Sequence, residues 1–409
     1  MTVILALPVI TGCSDLKTTP VSWNDIARTI PSNPNYIAAV NVNFEVDSAF
    51  NNIWGDSDVL SLLTKGLALD TVRPSHFVVV GTDYATFITW PVPNPEFVAE
   101  EISDWKQTSL NNTVDAHIFV KGKGSIVVSS TQIWVVDNAN GADNVNTLLS
   151  AAMDTKASNI PVFERCITDT PQEVAAVIPH GEKYYALDMH HEEGQLRLDV
   201  DAYDYLDKRL DIIDNLGRLP YAFVDRLSEV SPFVAMEVEK GTFPALLKKT
   251  ATLISDRQVR VGLNAVAGFF NDAKGTVLAQ WDAHRVCVRI PFDSEESAET
   301  SRKGLVALLK KDDSHIAISR NDNILTIYTV ESFGEHLIDR NRQTPHRHTW
   351  TDNPSAVGFA RFDLGYDDVA DAYFELAPTH GRLEVQFKDN SQNMAKIVEM
   401  LKSLIFKLL

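Results

Sequence analysis

Pro34-Asn35-Tyr36-Ile37-Ala38-Ala39-Val40-Asn41-Val42 has a counterpart roughly 200 residues further along, Pro232-Phe233-Val234-Ala235-Met236-Glu237-Val238. Three more landmarks recur in the same order at nearly the same offset. Trp90-Pro91 matches Ile290-Pro291, and each closes a β-type run before a charged helical stretch. His117-Ile118-Phe119-Val120 matches His315-Ile316-Ala317-Ile318, and Gly194-Gln195-Leu196-Arg197-Leu198 matches Gly381-Arg382-Leu383-Glu384-Val385. The ordered series predicts a tandem duplication, with a first repeat over 22–216 and a second over 217–409. A weaker echo at Pro171 and Pro354, each followed by an apolar run, suggests that each half has two similar parts.

Periodicity fills in the elements between these landmarks. Phe77–Val80, Ala85–Trp90, Ile118–Val120, Ser125–Ser129 and Gln132–Val136 read as strands. Lys121-Gly122-Lys123-Gly124 supplies the glycines of a hairpin turn, and Arg320-Asn321-Asp322-Asn323 plays that part in the second half. Helical spacing marks Pro95–Trp105, Thr242–Ile254, Ser294–Lys311 and Ser391–Leu408. The apolar stripe of the last of these is expected to pack on its own sheet. Gly262 and Gly268 are read as marking an apolar bend or strand. Strands joined by short turns and interleaved with a few helices imply an α+β fold of two similar halves, each an antiparallel sheet covered on one face by helices.

Composition limits the function classes. The 409 residues are 44% hydrophobic and 22% charged, which excludes a disordered chain and a polytopic membrane protein. The net charge of −18 argues against a nucleic-acid partner, because phosphate binding needs a positive field. That charge is unevenly placed: residues 1–216 carry 13 basic and 29 acidic side chains, and 217–409 carry 24 and 26. Of the three cysteines, Cys166 and Cys287 could pair across the two halves in an oxidising compartment or each be a small buried hydrophobe, and two free thiols are the favoured expectation.

Met1-Thr2-Val3-Ile4-Leu5-Ala6-Leu7-Pro8-Val9-Ile10-Thr11-Gly12-Cys13 is apolar and uncharged, and it is followed abruptly by polar Ser14-Asp15-Leu16-Lys17. The run is too short to span a bilayer and has the length of the apolar region of a secretion signal. Ile10-Thr11-Gly12-Cys13 resembles the lipobox of bacterial lipoproteins, although the positively charged segment that usually precedes the apolar run is missing. The resemblance implies a signal peptide over 1–12, a diacylated Cys13 as mature N-terminus, and a lipidated tether over 13–21. Two acyl chains suffice for stable anchoring where one binds marginally. Ser14 after the cysteine is compatible with sorting to an outer membrane.

Three clusters invite a chemical reading. His190-His191-Glu192-Glu193, expected at a hairpin tip, offers imidazole and carboxylate ligands, so His190, His191 and Glu192 form a candidate metal position. Nothing there has the His-Glu-x-x-His spacing that aims two ligands at one ion. Asp204, Asp207, Asp211 and Asp214 would share one face of a helix over Tyr203–Leu216, a candidate surface for cations or a basic partner. His346-Arg347-His348 lies in a basic, linker-like stretch and is expected to be a solvated loop. No nucleophile elbow, Walker loop, dinucleotide fingerprint or Cys-x-x-Cys is present, so no catalytic residue and no cofactor is assigned.

The lipobox, the opening Ile30-Pro31-Ser32-Asn33-Pro34-Asn35-Tyr36-Ile37-Ala38-Ala39-Val40 and the duplicated body together resemble the domain-of-unknown-function lipoproteins of Bacteroides-type bacteria. The resemblance implies a cell-envelope location, anchored through Cys13 to the outer membrane, and no assigned activity. The leading expectation is a non-enzymatic binding or scaffold module with a protein or glycan partner. Two alternatives stand beside it. One is a metal-dependent or acid/base hydrolase built around His190, His191 and Glu192. The other is a surface adhesin or glycan-capture protein whose Trp54, Trp105 and Trp134 stack on sugars.

Overall fold

The computed structural model describes residues 22–41, 75–83, 86–91, 106–108, 116–121, 124–129, 132–137, 156–192, 194–224, 231–282, 285–309, 315–329, 350, 354–365 and 368–387. They are dominated by antiparallel β-sheet, with a minority of helix. The chain divides into two compact units, Met1–Tyr184 with Tyr205–Asp207, and Tyr185–Asp204 with Lys208–Leu409. The landmarks in the sequence place the change of repeat at 216/217 instead. The expected helices Pro95–Trp105 and Ser391–Leu408 lie outside the described residues.

In the first unit, β1 (Tyr36–Asn41) is flanked by β2 (His76–Gly81) and β8 (Val174–His180). β2 continues to β3 (Thr86–Pro91) and β3 to β7 (Gln132–Asp137). Beyond β7 lie β6 (Gly124–Ser129), β5 (Ala116–Lys121) and β4 (Lys106–Thr108). Every pairing is antiparallel. Lys121 stands opposite Gly124, as the expected glycine turn requires. All six residues of β2 are buried, which accounts for its unbroken apolar run Phe77-Val78-Val79-Val80 where a half-exposed strand would alternate.

Two helices attach to this sheet. α1 (Trp23–Ala27) starts at Ser22, whose hydroxyl accepts from the Asp25 amide while the Asp25 carboxylate accepts from the Ser22 amide, a reciprocal capping box. α2 (Pro161–Thr168) opens on proline, whose missing N–H costs nothing at a first helical position. Its Val162, Phe163, Cys166 and Ile167 are buried. Cys166 lies within 4 Å of two strand carbonyls, those of Ile37 at 3.9 Å and Ala175 at 3.7 Å.

The second unit contains β9 (Lys183–Glu192), most of which belongs to it, β10 (Gln195–Tyr203), and a two-residue β11 (Arg209–Leu210) on the end of β10. Its centre is β12 (Phe233–Val238), between β13 (Gly275–Trp281) and β17 (Ala356–Gly365). On one side the sheet continues through β14 (Val286–Pro291) and β16 (Ile324–Tyr328) to β15 (Ala317–Asn321). On the other it passes through β18 (Asp368–Leu376) and β19 (His380–Phe387) to β10. Asn321 pairs with Ile324 across a two-residue turn, and Asp322 takes the left-handed φ of 49° that such a turn demands.

Part of the pairing scheme of the first unit recurs in the second. β1 stands between β2 and β8 as β12 stands between β13 and β17. β3 takes the second strand of the β6–β7 hairpin as β14 takes the second strand of β15–β16. This corrects one landmark: β15, which follows His315, occupies the place of β6, whereas His117 lies on β5.

Helix α3 (Thr242–Leu253), α4 (Arg257–Ala267) and α5 (Glu295–Leu309) complete the second unit. α3 and α5 fall where helical spacing predicts them. α4 replaces the expected bend: Asp256 caps its first turn by accepting from the amides of Gln258 and Val259, and Gly268 ends it. Phe243, Phe270, Ala298 and Leu305 close over Val238, Val277, Ile290 and Leu325. The opposite face of β12 is buried too, since Phe233 and Ala235 pack with Leu219, Val224, Val357, Phe359 and Tyr373. The expected sheet with one helix-covered face is therefore too simple for this unit, because β12 is apolar on both sides.

Candidate functional site

Period-two alternation on β10 and β19 separates two chemistries. Leu196 and Ala202 are buried on β10, and Leu196 packs with Val385, Ala370 and Ala372, against which Met189, Leu383 and Phe387 lie. The intervening positions are Arg197, Asp199 and Asp201 on β10 and His380, Arg382 and Glu384 on β19. The antiparallel register sets Asp199 opposite Arg382, Asp201 opposite His380 and Arg197 opposite Glu384. Like charges are thereby kept from facing each other across the ladder.

Asp199 is the hub. One carboxylate oxygen accepts from Arg197 Nε at 2.6 Å, and the other accepts from Arg197 Nη2 at 3.2 Å and Arg382 Nε at 3.1 Å. His380 Nε2 lies 3.1 Å from that second oxygen. Asp201 accepts from Arg209 Nη2 at 3.0 Å, and its other oxygen lies 3.1 Å from His380 Nδ1. Burial opposes ionisation of Asp199, whose side chain is 12% exposed, yet the hydrogen bonds and charges of Arg197 and Arg382 outweigh it. The net result is a carboxyl held below its ordinary value.

The His380 ring lies between the two aspartates, hydrogen-bonded to Asp201 through Nδ1 and within 3.1 Å of Asp199 through Nε2. The Tyr203 hydroxyl beside it contacts Asp201, at a long 3.5 Å. The arrangement is a polar face on which acidic and basic side chains engage one another.

The residues singled out by sequence are dispersed. His190 lies within β9, not at a hairpin tip, and its Nδ1 is buried without a hydrogen-bond partner. His191 and Glu192 are the last positions of the same strand; the chain turns after them, with Gly194 at a φ of 77°. Among the described residues no group of three or more His, Cys, Asp and Glu is placed to hold a metal ion. The helix expected over Tyr203–Leu216 does not form. β10 ends at Tyr203, Asp207 takes a φ of 65°, and β11 follows at once. The four aspartates accordingly share no face: Asp204 accepts from the Lys208 amide at 2.9 Å, and Asp207 pairs with Arg165 of α2. Trp134 is buried against Phe87, so it belongs to the core and offers no sugar platform. Cys13, Trp54, Trp105 and His346–His348 lie outside the described residues. No described helix is long and apolar enough to cross a membrane.

Arg197, His380 and Arg382 went unrecognised as a site because the cluster joins positions far apart in sequence. One signal was present. The two segments aligned as equivalents, Gly194–Val200 and Gly381–Phe387, are the strands that pair to build it.

No family model matches the chain, and no curated protein matches it. Among solved structures, crystal forms III and IV of TP0453 each align with 43% of this chain at 10% identity and a TM-score of 0.32, covering 78% and 79% of their own lengths. The dehydratase domain of RzxB from Pseudomonas fluorescens aligns with 50% of the chain and 68% of itself, at 8% identity and a TM-score of 0.09. At these scores neither likeness carries an argument about function.

Proposed function

We propose that the chain is a lipid-anchored cell-envelope protein, held in the outer membrane through acylated Cys13, whose duplicated halves form a non-enzymatic binding or scaffold module for a protein or glycan partner. The observation that carries the reading is Ile10-Thr11-Gly12-Cys13 at the end of an apolar run, ahead of a polar segment and a capped helix that opens at Ser22. The corresponding strand pairings around β1 and β12 support the duplication. The non-enzymatic part is supported by the cluster on β10 and β19, where carboxylates, guanidinium groups and imidazole engage one another.

Mass spectrometry of the protein purified from membranes tests the anchor. The expected mature N-terminus is Cys13 carrying a diacylglyceryl group, and Cys13→Ala is expected to leave an uncleaved, unacylated chain. An unmodified Met1 on the native protein would overturn the reading.

A further inference from the structure

Strand β15 ends the sheet of the second unit, and among the described residues it pairs with β16 alone. Its counterpart in the first unit, β6, has a neighbour on each side, β7 on one and β5 on the other. Both hairpins turn in two residues, between Ser129 and Gln132 and between Asn321 and Ile324. Counting back from the turns sets Ile126 and Val128 of β6 against Ile318 and Arg320 of β15. Ile126 and Val128 stand opposite Phe119 and His117 of β5. No stretch of chain ahead of β15 is long enough to do the same there. Residues 310–316 alone join α5 to β15, and the last two, His315 and Ile316, belong to no strand. β5 and its turn occupy 116–123, more than that whole connection.

The register identifies the backbone groups left over. A two-residue turn closes on a hydrogen-bonded pair, here Asn321 with Ile324, and bonded and non-bonded pairs then alternate along an antiparallel ladder. Ser319 is therefore bonded to Thr326, whereas Ile318 opposite Ile327 and Arg320 opposite Leu325 are not. The N–H and C=O groups of Ile318 and Arg320 point away from β16, toward the edge. Little on β15 obstructs a further strand. It has no proline and its register is unbroken. Its one charged side chain, Arg320, is drawn onto α5 by Glu299 at 3.3 Å and Glu295 at 3.5 Å.

We propose that the second unit joins a second copy of this chain by pairing the two β15 strands antiparallel about a two-fold axis at Ser319. The edge is complementary to itself. Centred on Ser319, the pairing sets Ile318 of each copy opposite Arg320 of the other. These are the positions with outward N–H and C=O groups, so each pair exchanges both of its hydrogen bonds and no like charges face each other. α5 adds charge complementarity. It packs on both β15 and β16, and its contacts with Arg320 mark the flank nearest the edge. That flank carries Glu295 and Glu299 and then, bonded to Glu299, Arg302 and Lys303. The two-fold lays α5 antiparallel beside its copy at about two strand spacings, roughly 10 Å, an ordinary distance between packed helices. The acidic half of one helix then lies toward the basic half of the other. Nothing in this contact uses residues 1–21, so it stands or falls separately from the lipid anchor.

The test uses the full chain with Cys13→Ala. Sedimentation equilibrium over a concentration series is expected to show a dimer. Ser319→Lys places two ammonium groups at the axis and should weaken the dimer several-fold, as should Ser319→Glu, whereas an equimolar mixture of the two variants should restore it. Ser319 is exposed, so thermal unfolding of both variants should match that of the parent. Ser319→Cys should form a disulfide between copies under mild oxidation, because facing non-bonded positions have Cα atoms about 4.5 Å apart, within disulfide range. A monomer at every concentration would overturn the proposal, as would a dimer that Ser319→Lys leaves intact and Ser319→Cys does not link. So would variants that stay apart when mixed, which would place residue 319 off the axis.

Discussion

Asp199 carries more of the polar face than any other side chain. Replacing it by asparagine keeps the shape but leaves Arg197, Arg382 and His380 crowded around a neutral group. Hydrogen bonds to charged groups contribute about 1.5–3 kcal/mol each, and these are coupled, so a total loss of about 2 kcal/mol is expected from urea unfolding of Asp199→Asn at neutral pH. The sign with pH follows from the lowered carboxyl. Its stabilisation is complete above the unfolded value of about 4 and disappears as pH falls through the lower folded value. Parent and variant unfolding curves should therefore converge in acid, and a constant gap down to about pH 2 would contradict the assignment. His76 has the opposite requirement. Its Nε2 lies 2.9 Å from the carbonyl of Ile167, its Nδ1 2.9 Å from the Ser75 hydroxyl, and its ring stacks on Trp23 at 3.7 Å. Burial, the dominant influence, lowers the tendency of the ring to protonate. The unfolded chain then takes up the proton more readily, so stability should decline as pH falls below about 6.5. Chemical denaturation across pH 5 to 8 should show a shallower decline for His76→Asn than for the parent.

Capping and packing decide which elements were readable. α3 and α5 carry long helical patterns, and both form where expected. α4 contains Gly262 and ends at Gly268, and those glycines suggested a bend; the Asp256 cap outweighs the glycine penalty of about 1 kcal/mol. Asp256→Ala should cost the first turn of α4 about 1 kcal/mol, read as faster amide exchange at Gln258 and Val259 with little change in the β12 amides. The helix expected over Tyr203–Leu216 failed for a complementary reason. Its aspartates satisfy spacing, but Asp204 turns its carboxylate on the Lys208 amide, and local hydrogen bonds of this kind compete with helix. α5 is held at close range. Ser301 donates to the carbonyl of Phe269 at 2.6 Å, and the Phe269 ring occupies the space that a Cβ on Gly304 would need. Gly304→Ala is expected to destabilise the second unit by about 1–3 kcal/mol despite higher helix propensity, as measured by its thermal midpoint.

Among the described residues, Cys166 is buried in the first compact unit and Cys287 in the second. Burial pushes the Cys287 thiol upward, away from the reactive thiolate. In a Cys13→Ala protein, neither should react with a thiol reagent in buffer and both should react in denaturant; a Cys166–Cys287 bridge seen by mass spectrometry would contradict the structure. The sequence by itself marked many of the strands, because alternation and turn residues act over a few positions. It also determined the repeated order of landmarks, the concentration of acid in residues 1–216 and the apolar run that ends in Ile10-Thr11-Gly12-Cys13. Tertiary structure alone decided that β12 would be buried on both faces and that β15 would stand for β6. It alone brought His380 and Arg382 onto Asp199 and Asp201, and left β15 with β16 as its one neighbour among the described residues. Register and burial depend on which distant strands meet, and a side chain's charge partners and exposure are fixed only when they do.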